Sequence, residues 1–196
     1  TTTTTTTTPD NKKKKQNGPV MVDSKTFPMA FSKRTSTSWF CHFEQMPTLV
    51  AKAQQLLLQT QSSSSSCRME HFEEPQIVRY KTGEEFTWHY DEIPNTKDLN
   101  DNAGGQRLAT LLVYLNTLEA HQGGGTVFRD LSSSSSSSST SSSLTVTPTR
   151  GNALLFFPAF QDGRPDDRTL HKGEIAWAEK MICQMWIHRY PYRPVV

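Results

Sequence analysis

Apolar residues follow two rhythms along the chain. One is helical: after Pro47, the residues Leu49, Val50, Ala53, Leu56 and Leu57 recur three and four positions apart, which marks one face of a helix that opens on proline and ends near Thr60. The other is a series of short extended stretches. Residues 35–43 are rich in Thr, Trp and Phe. Residues 76–80 and 85–90 flank a Thr82-Gly83 turn. Residues 107–115 (RLATLLVYL) are almost continuously apolar and carry Thr, Val and Tyr, the mark of a strand covered on both faces. Short stretches at 126–128, 144–147, 152–157 (NALLFF, read as another buried strand), 169–171, 174–178 and 181–188 continue the series, with turns at 123–125 and 148–151. One helix among many short strands, with no strand–helix–strand alternation, predicts a mainly β sandwich or barrel and excludes a parallel nucleotide-binding sheet.

Homopolymer tracts interrupt this pattern. Residues 1–8 are all Thr, 62–66 all Ser, and Ser fills 132–139 with more Ser and Thr after it. Such tracts bury no apolar surface. They account for a hydrophobic fraction of only 34% in 196 residues. The expected organisation is a polar tail over 1–20 and one domain over 21–196, with Phe27 and Phe31 as early apolar anchors and Ser-rich insertions at 62–66 and 132–143. A net charge of +2 gives no strong field for nucleic acid, and Lys12 to Lys15 read as a solvated basic run. Cys41, Cys67 and Cys183 are too few and too scattered for a disulfide framework, although one pair stays open. The chain carries no apolar run long enough for a bilayer, and its first residues do not read as a secretory leader.

The candidate chemistry begins at His89-Tyr90-Asp91. In a strand, residues i and i+2 share a face, so the imidazole and the carboxylate are expected to meet one ion. Two histidines and one carboxylate form the facial set that holds non-haem Fe(II) and leaves positions open. The third ligand must come from His42, His71, His121, His171 or His188. Spacing favours His171, and His188 (in WIHRY) reads as a packing or hydrogen-bonding residue. Any of these histidines on its own equally suits a structural role. Lys180 sits among apolar residues in AEKMICQMW. It is either the cation for a buried distal carboxylate, with Tyr80 as a second donor, or an edge lysine reaching for water.

The stretches QIVRYKTGEEFTWHYDEIP, GQRLATLLVYLN, GGGTVF and TPTRGNALLFF, with the TLH-to-WIH segment, resemble in order and spacing the catalytic domain of prolyl 4-hydroxylases, which are Fe(II)- and 2-oxoglutarate-dependent dioxygenases. The resemblance runs from about Phe31 to His188. It implies a double-stranded β-helix, or jelly roll, with helices packed outside one sheet. It places the iron ligands on His89, Asp91 and His171, the 2-oxoglutarate contacts on Lys180, Tyr80 and Thr126, and weaker substrate contacts on Arg34, Trp39 and Trp88. It implies Fe(II), O2 and ascorbate as cofactors, 2-oxoglutarate consumed to succinate and CO2, and a proline-containing peptide or protein as substrate. The interval from His171 to Lys180 is one residue shorter than is usual in that family, which leaves Arg150 as an alternative base. Competing readings are the same oxygenase chemistry on another side chain, a nucleobase or a small molecule, a zinc hydrolase, and a non-catalytic jelly-roll binding module. The sequence does not fix the compartment: the resemblance is compatible with the endoplasmic reticulum and secretory pathway, and the cytoplasm is the alternative.

Overall fold

The structure, a computed structural model, describes residues 20–22, 34–60, 68–93, 104–132 and 143–192. The Thr tail, Lys12 to Lys15, Phe27, Phe31, Cys67, the 62–66 tract and most of the 132–143 tract lie outside these residues.

Ten strands and one α-helix are found among them: β1 Val20–Val22, β2 Thr37–Phe40, α1 Pro47–Thr60, β3 Gln76–Tyr80, β4 Glu84–His89, β5 Arg107–Tyr114, β6 Thr126–Ser132, β7 Ser143–Val146, β8 Ala153–Phe156, β9 His171–Ala176 and β10 Lys180–His188. They form a larger sheet in the order β1-β2-β3-β10-β5-β8 and a smaller one in the order β4-β9-β6-β7. Every pairing between these strands is antiparallel. From β3 to β10 the chain crosses from one sheet to the other at every step but the β6–β7 pair, which gives the double-stranded β-helix with a helix outside the larger sheet.

Strand β5 shows why RLATLLVYL is so apolar. Ala109 and Leu111 pack on Ala53 and Leu57 of α1, together with Phe72, Met185 and Ile187. Leu112 and Tyr114 point the other way, into the space between the sheets, and meet Val78, Tyr80, Leu118, Ala176 and Ile182. Both faces of this strand are covered, so hydrophobic residues occupy both alternations. Each fully buried side chain of this kind contributes about 1.5–3 kcal/mol.

Several expected boundaries move, each for a local reason. Phe43 belongs to a 3-10 turn, so the 35–43 stretch pairs only over β2. Thr169 ends another 3-10 turn, and extended pairing starts at His171. The NALLFF stretch is not a buried strand: β8 lies at the sheet edge, leaving Ala153 exposed and Phe157 half exposed. The Ser-rich insertion joins β6 to β7, two strands paired with each other, with Ser132 opposite Ser143. Residues 177–179 make the short turn from β9 to β10, between His171 and Lys180.

Candidate metal centre

His89 and His171 occupy the last rung of the β4–β9 ladder as Cα partners. Each ring is held the same way. His89 Nδ1 lies 2.7 Å from the Thr87 carbonyl, and His171 Nδ1 lies 2.9 Å from the Thr169 carbonyl. A carbonyl only accepts, so both Nδ1 atoms carry the proton and both Nε2 atoms keep a free lone pair. Aromatic rings fix the imidazole planes. Phe86 stacks on His89 at 3.6 Å between centroids, while Phe128 and Phe156 flank His171 at 5.4 and 4.9 Å.

The third member departs from the expected geometry. Strand β4 ends at His89, and Asp91 stands in a bend beyond it, so strand alternation does not place the carboxylate. It converges nonetheless: Asp91 Oδ1 is 3.6 Å from His89 Nε2 and 3.9 Å from His171 Nε2. The three ligand atoms lie within 4.8 Å of one another, all on buried residues, and among the described residues this is the one group of three such side chains able to share a cation. Burial, reinforced by His171, pushes the His89 imidazole well below its ordinary value against the pull of Asp91. Burial would raise the Asp91 carboxyl, but His171, His89, the Thr110 hydroxyl and Arg107 outweigh it and hold it low. A neutral His89 imidazole beside an ionised Asp91 carboxylate suits a divalent cation.

One rung along the same ladder, Phe86 faces Gly173. Gly173 lies two residues from His171 on the same face of β9, about 7 Å along the strand. A Cβ on Gly173 would stand 3.7 Å from the Lys180 ammonium. Lys180 is 2% exposed and, among the described residues, has no ion-pair partner. Burial draws its ammonium down to about 8, with the charge of Glu174 opposing. Its stem passes Gly124, whose φ of +73° and close approach leave no room for a side chain: a Cβ there would meet Leu118 at 2.8 Å and the Lys180 stem at 3.3 Å. Tyr80 pairs with Lys180 across β3–β10, its hydroxyl raised by burial and partly relieved by Arg34 and Ser36. Thr126 faces Gly173 from β6, is buried, and accepts a bond of 2.9 Å from the Tyr114 hydroxyl. An unpaired buried ammonium beside a glycine-made space, one rung from two imidazoles and a carboxylate, fits a short dicarboxylate reaching from cation to lysine.

The other expected residues are distributed differently. Arg34 bridges to Phe86, stands 5.3 Å over its ring, and bonds Ser36 and Gln76, while its Nη2 is buried without a partner. Trp39 pairs with Ile77 and carries Arg79 over its ring, on the face of the larger sheet turned away from Val78 and Tyr80. Trp88 is 41% exposed and faces outward under Lys172. Neither tryptophan reaches the cation group. Arg150 is exposed in a turn held by Thr117. His42 pairs with Glu74, His71 bonds the His188 carbonyl, and His121 lies exposed in a 3-10 turn.

Sequence reasoning passed over two features. Thr110 donates to Asp91 Oδ2 at 2.8 Å. Glu73 joins Arg107 (2.6 and 3.1 Å) and His188 (2.7 Å), and Arg107 in turn bonds the Asp91 carbonyl at 3.3 Å. The signal available in the sequence was an Arg and a Thr inside an otherwise apolar strand, and a His in an apolar one.

Residues 75–188 match the 2OG-Fe(II) oxygenase superfamily. Prolyl 4-hydroxylase 2 of Arabidopsis thaliana is 35% identical over 130 residues, covering 61% of this chain and 42% of that protein. Probable prolyl 4-hydroxylase 4 of the same plant is 34% identical over 130 residues, with the same coverage of 61% and 42%. The chain therefore spans less than half the length of these curated relatives. Among solved structures, the viral collagen prolyl hydroxylase of Paramecium bursaria Chlorella virus-1, in its 2OG complex, superposes with a TM-score of 0.63 at 24% identity, covering 88% of this chain and 96% of that one. A Pseudomonas putida prolyl-4-hydroxylase gives 0.59 at 18% identity, covering 84% and 76%. These two structures carry the likeness of fold.

Proposed function

Because the chain belongs to the 2OG-Fe(II) oxygenase superfamily, we propose that it is a 2-oxoglutarate-dependent dioxygenase domain that hydroxylates peptidyl proline, with Fe(II) on His89, Asp91 and His171 and 2-oxoglutarate anchored by Lys180, Tyr80 and Thr126. The observation that carries the reading is the matched pair of Nδ1 bonds to the Thr87 and Thr169 carbonyls, which leaves both Nε2 atoms bare and aimed at one carboxylate oxygen. The prolyl substrate is supported by the names of the relatives, several of them prolyl 4-hydroxylases from Arabidopsis thaliana.

When bound, ferrous iron with 2-oxoglutarate and O2 supplies the oxidising power for hydroxylating an unactivated C–H bond, releasing succinate and CO2, and ascorbate keeps the metal reduced. The chain supplies the rest. His89, Asp91 and His171 would hold the cation with three side chains and so would leave it positions for co-substrate and O2. The Lys180 ammonium neutralises the distal carboxylate of 2-oxoglutarate in a site too dry to leave it unpaired. Phe86, Phe128 and Phe156 keep water from the imidazoles. Arg34, over the ring of the Phe86 that stacks on His89 and with Nη2 buried without a partner, offers one further donor to a bound ligand.

The test is direct. The iron-loaded chain, 2-oxoglutarate, ascorbate and a panel of proline-containing peptides are incubated and read by mass spectrometry. One added oxygen on proline, absent without 2-oxoglutarate and absent with His89→Ala, is the expected result. Succinate formation with no oxidised peptide moves the substrate elsewhere. No succinate under any condition overturns the dioxygenase reading.

A further inference from the structure

Asp91 faces a mechanical problem that the histidines do not. His89 and His171 sit on a paired rung, whereas Asp91 follows the end of β4 and has no strand partner to set its backbone. Its two carboxylate oxygens are nevertheless sorted. Oδ1 faces both imidazoles, while Oδ2 turns away and accepts the Thr110 hydroxyl at 2.8 Å. Thr110 is 1% exposed, so no water competes for that oxygen. Asp91 is held a second time through its main chain, where the Arg107 guanidinium donates to the carbonyl at 3.3 Å.

Both holding residues come from β5, three positions apart. In a regular strand, residues 107 and 110 would point to opposite faces. The register explains why they do not: Ile187 pairs with Ala109 and His188 with Arg107, so two neighbours on β10 span three residues on β5 and Leu108 is the extra one. A bulge of this kind reverses the alternation and re-aims one side chain. Arg107 accordingly lies 4.0 Å over Trp186, the residue that pairs with Thr110.

We propose that the β5 bulge at Leu108 builds a two-point clamp on Asp91, and that Thr110 is the positioning residue that presents Asp91 Oδ1 to the cation. This rests on the metal site proposed above. Hydrogen-bond partners behind a ligand typically tune metal affinity by about 10- to 100-fold. Arg107 is itself anchored by Glu73, so the clamp is stiff at its far end.

The experiment compares wild type, Thr110→Val and Thr110→Ser. Apo proteins are checked first by urea unfolding, and Thr110→Ala replaces the valine variant if that one does not fold. Co(II) is then titrated and followed by its visible absorption, and kcat and KM for 2-oxoglutarate are measured at saturating Fe(II). The expected result is that Thr110→Val weakens Co(II) binding about 10- to 100-fold and shifts the absorption bands. Thr110→Ser restores both, and KM for 2-oxoglutarate stays level because Lys180 is untouched. Wild-type affinity and spectrum in Thr110→Val overturn the clamp. So does an equal loss in Thr110→Ser, which would make the methyl group, not the hydroxyl, responsible. Failure of the wild-type chain to take up Co(II) overturns the metal site itself, and the clamp with it, and is distinguishable because it appears without any substitution.

Discussion

Lys180 and Tyr80 are Cα partners across the β10–β3 ladder, and the lysine ammonium lies 5.0 Å from the centre of the tyrosine ring. The ring face is the electron-rich side, so it eases the burial of a cation that has no carboxylate within ion-pair reach among the described residues. A charge kept buried at this cost is open to an anionic ligand, and the space beside it is the one Gly173 leaves free.

Lys180→Ala is therefore expected to raise the KM for 2-oxoglutarate while leaving Co(II) affinity unchanged. Removing one partner of a buried charge pair costs about 2 kcal/mol or more, roughly a 30-fold change in affinity. Steady-state kinetics against 2-oxoglutarate measure it, and an unchanged KM would remove Lys180 from the site. Arg150 is not expected to substitute, because it is exposed in a turn.

The same lysine sets a pH dependence. Burial lowers its ammonium from 10.5 to about 8 in the ligand-free chain. Between those values the unfolded chain binds more protons than the folded one, so the stability contributed by this group rises as pH rises through that window. Ligand binding has the opposite sign, because a dicarboxylate needs the charged ammonium. The affinity for 2-oxoglutarate is expected to be level below pH 7 and to fall by about tenfold per pH unit above pH 8. Calorimetry at pH 7, 8.5 and 9.5 reads this, together with proton uptake at the higher pH. A flat profile would show that the ammonium is not the anchor.

The sheet architecture was legible because its signals are local. Residues 76–80 and 107–115 keep the alternation or continuous apolarity that their burial demands, and the observed strands match to within a residue. Edges were harder: NALLFF looks buried by composition, but its place at the sheet edge depends on which strand lies beyond it, and sequence does not carry that. The metal group was half legible. His-x-Asp suggested a shared strand face, yet the strand stops at His89 and two residues of β5 hold Asp91 instead. That substitution depends on one extra residue in a register, which no periodicity reveals.

Gly173→Ala tests the space beside Lys180 without touching a charge. The added carbon would stand 3.7 Å from both the ammonium and the Phe86 Cβ, ordinary contact distances, so the fold accepts it. Replacing a strand glycine with alanine reduces the entropy lost on folding, and the apo protein should gain about 0.5 kcal/mol. The methyl group nevertheless fills the volume a carboxylate needs. The expected outcome is a higher KM for 2-oxoglutarate with unaltered Co(II) affinity and an equal or higher urea midpoint. A variant that bound 2-oxoglutarate as the wild type does would place the co-substrate elsewhere.

Glu73→Ala tests the anchor behind Arg107. Glu73 is 8% exposed and meets a guanidinium on two nitrogens and the buried His188 on a third. Removing it leaves Arg107 and His188 facing a cavity, and breaking a buried pair this way costs about 3 kcal/mol. Glu73→Gln keeps the shape and part of the bonding, so it should lose roughly half as much. Burial alone would raise the Glu73 carboxyl, but the His188 bond and the Arg107 charge hold it below 4.5. A depressed carboxyl stabilises the fold above its unfolded value, and that contribution disappears as pH falls through the folded one. The stability gap between wild type and Glu73→Gln should therefore be full at pH 6 and shrink steadily below pH 4.5. Urea unfolding at pH 6, 5, 4 and 3 measures the gap. A gap that stayed constant down to pH 3 would mean that packing around residue 73, not its charge, secures the strand that holds Asp91.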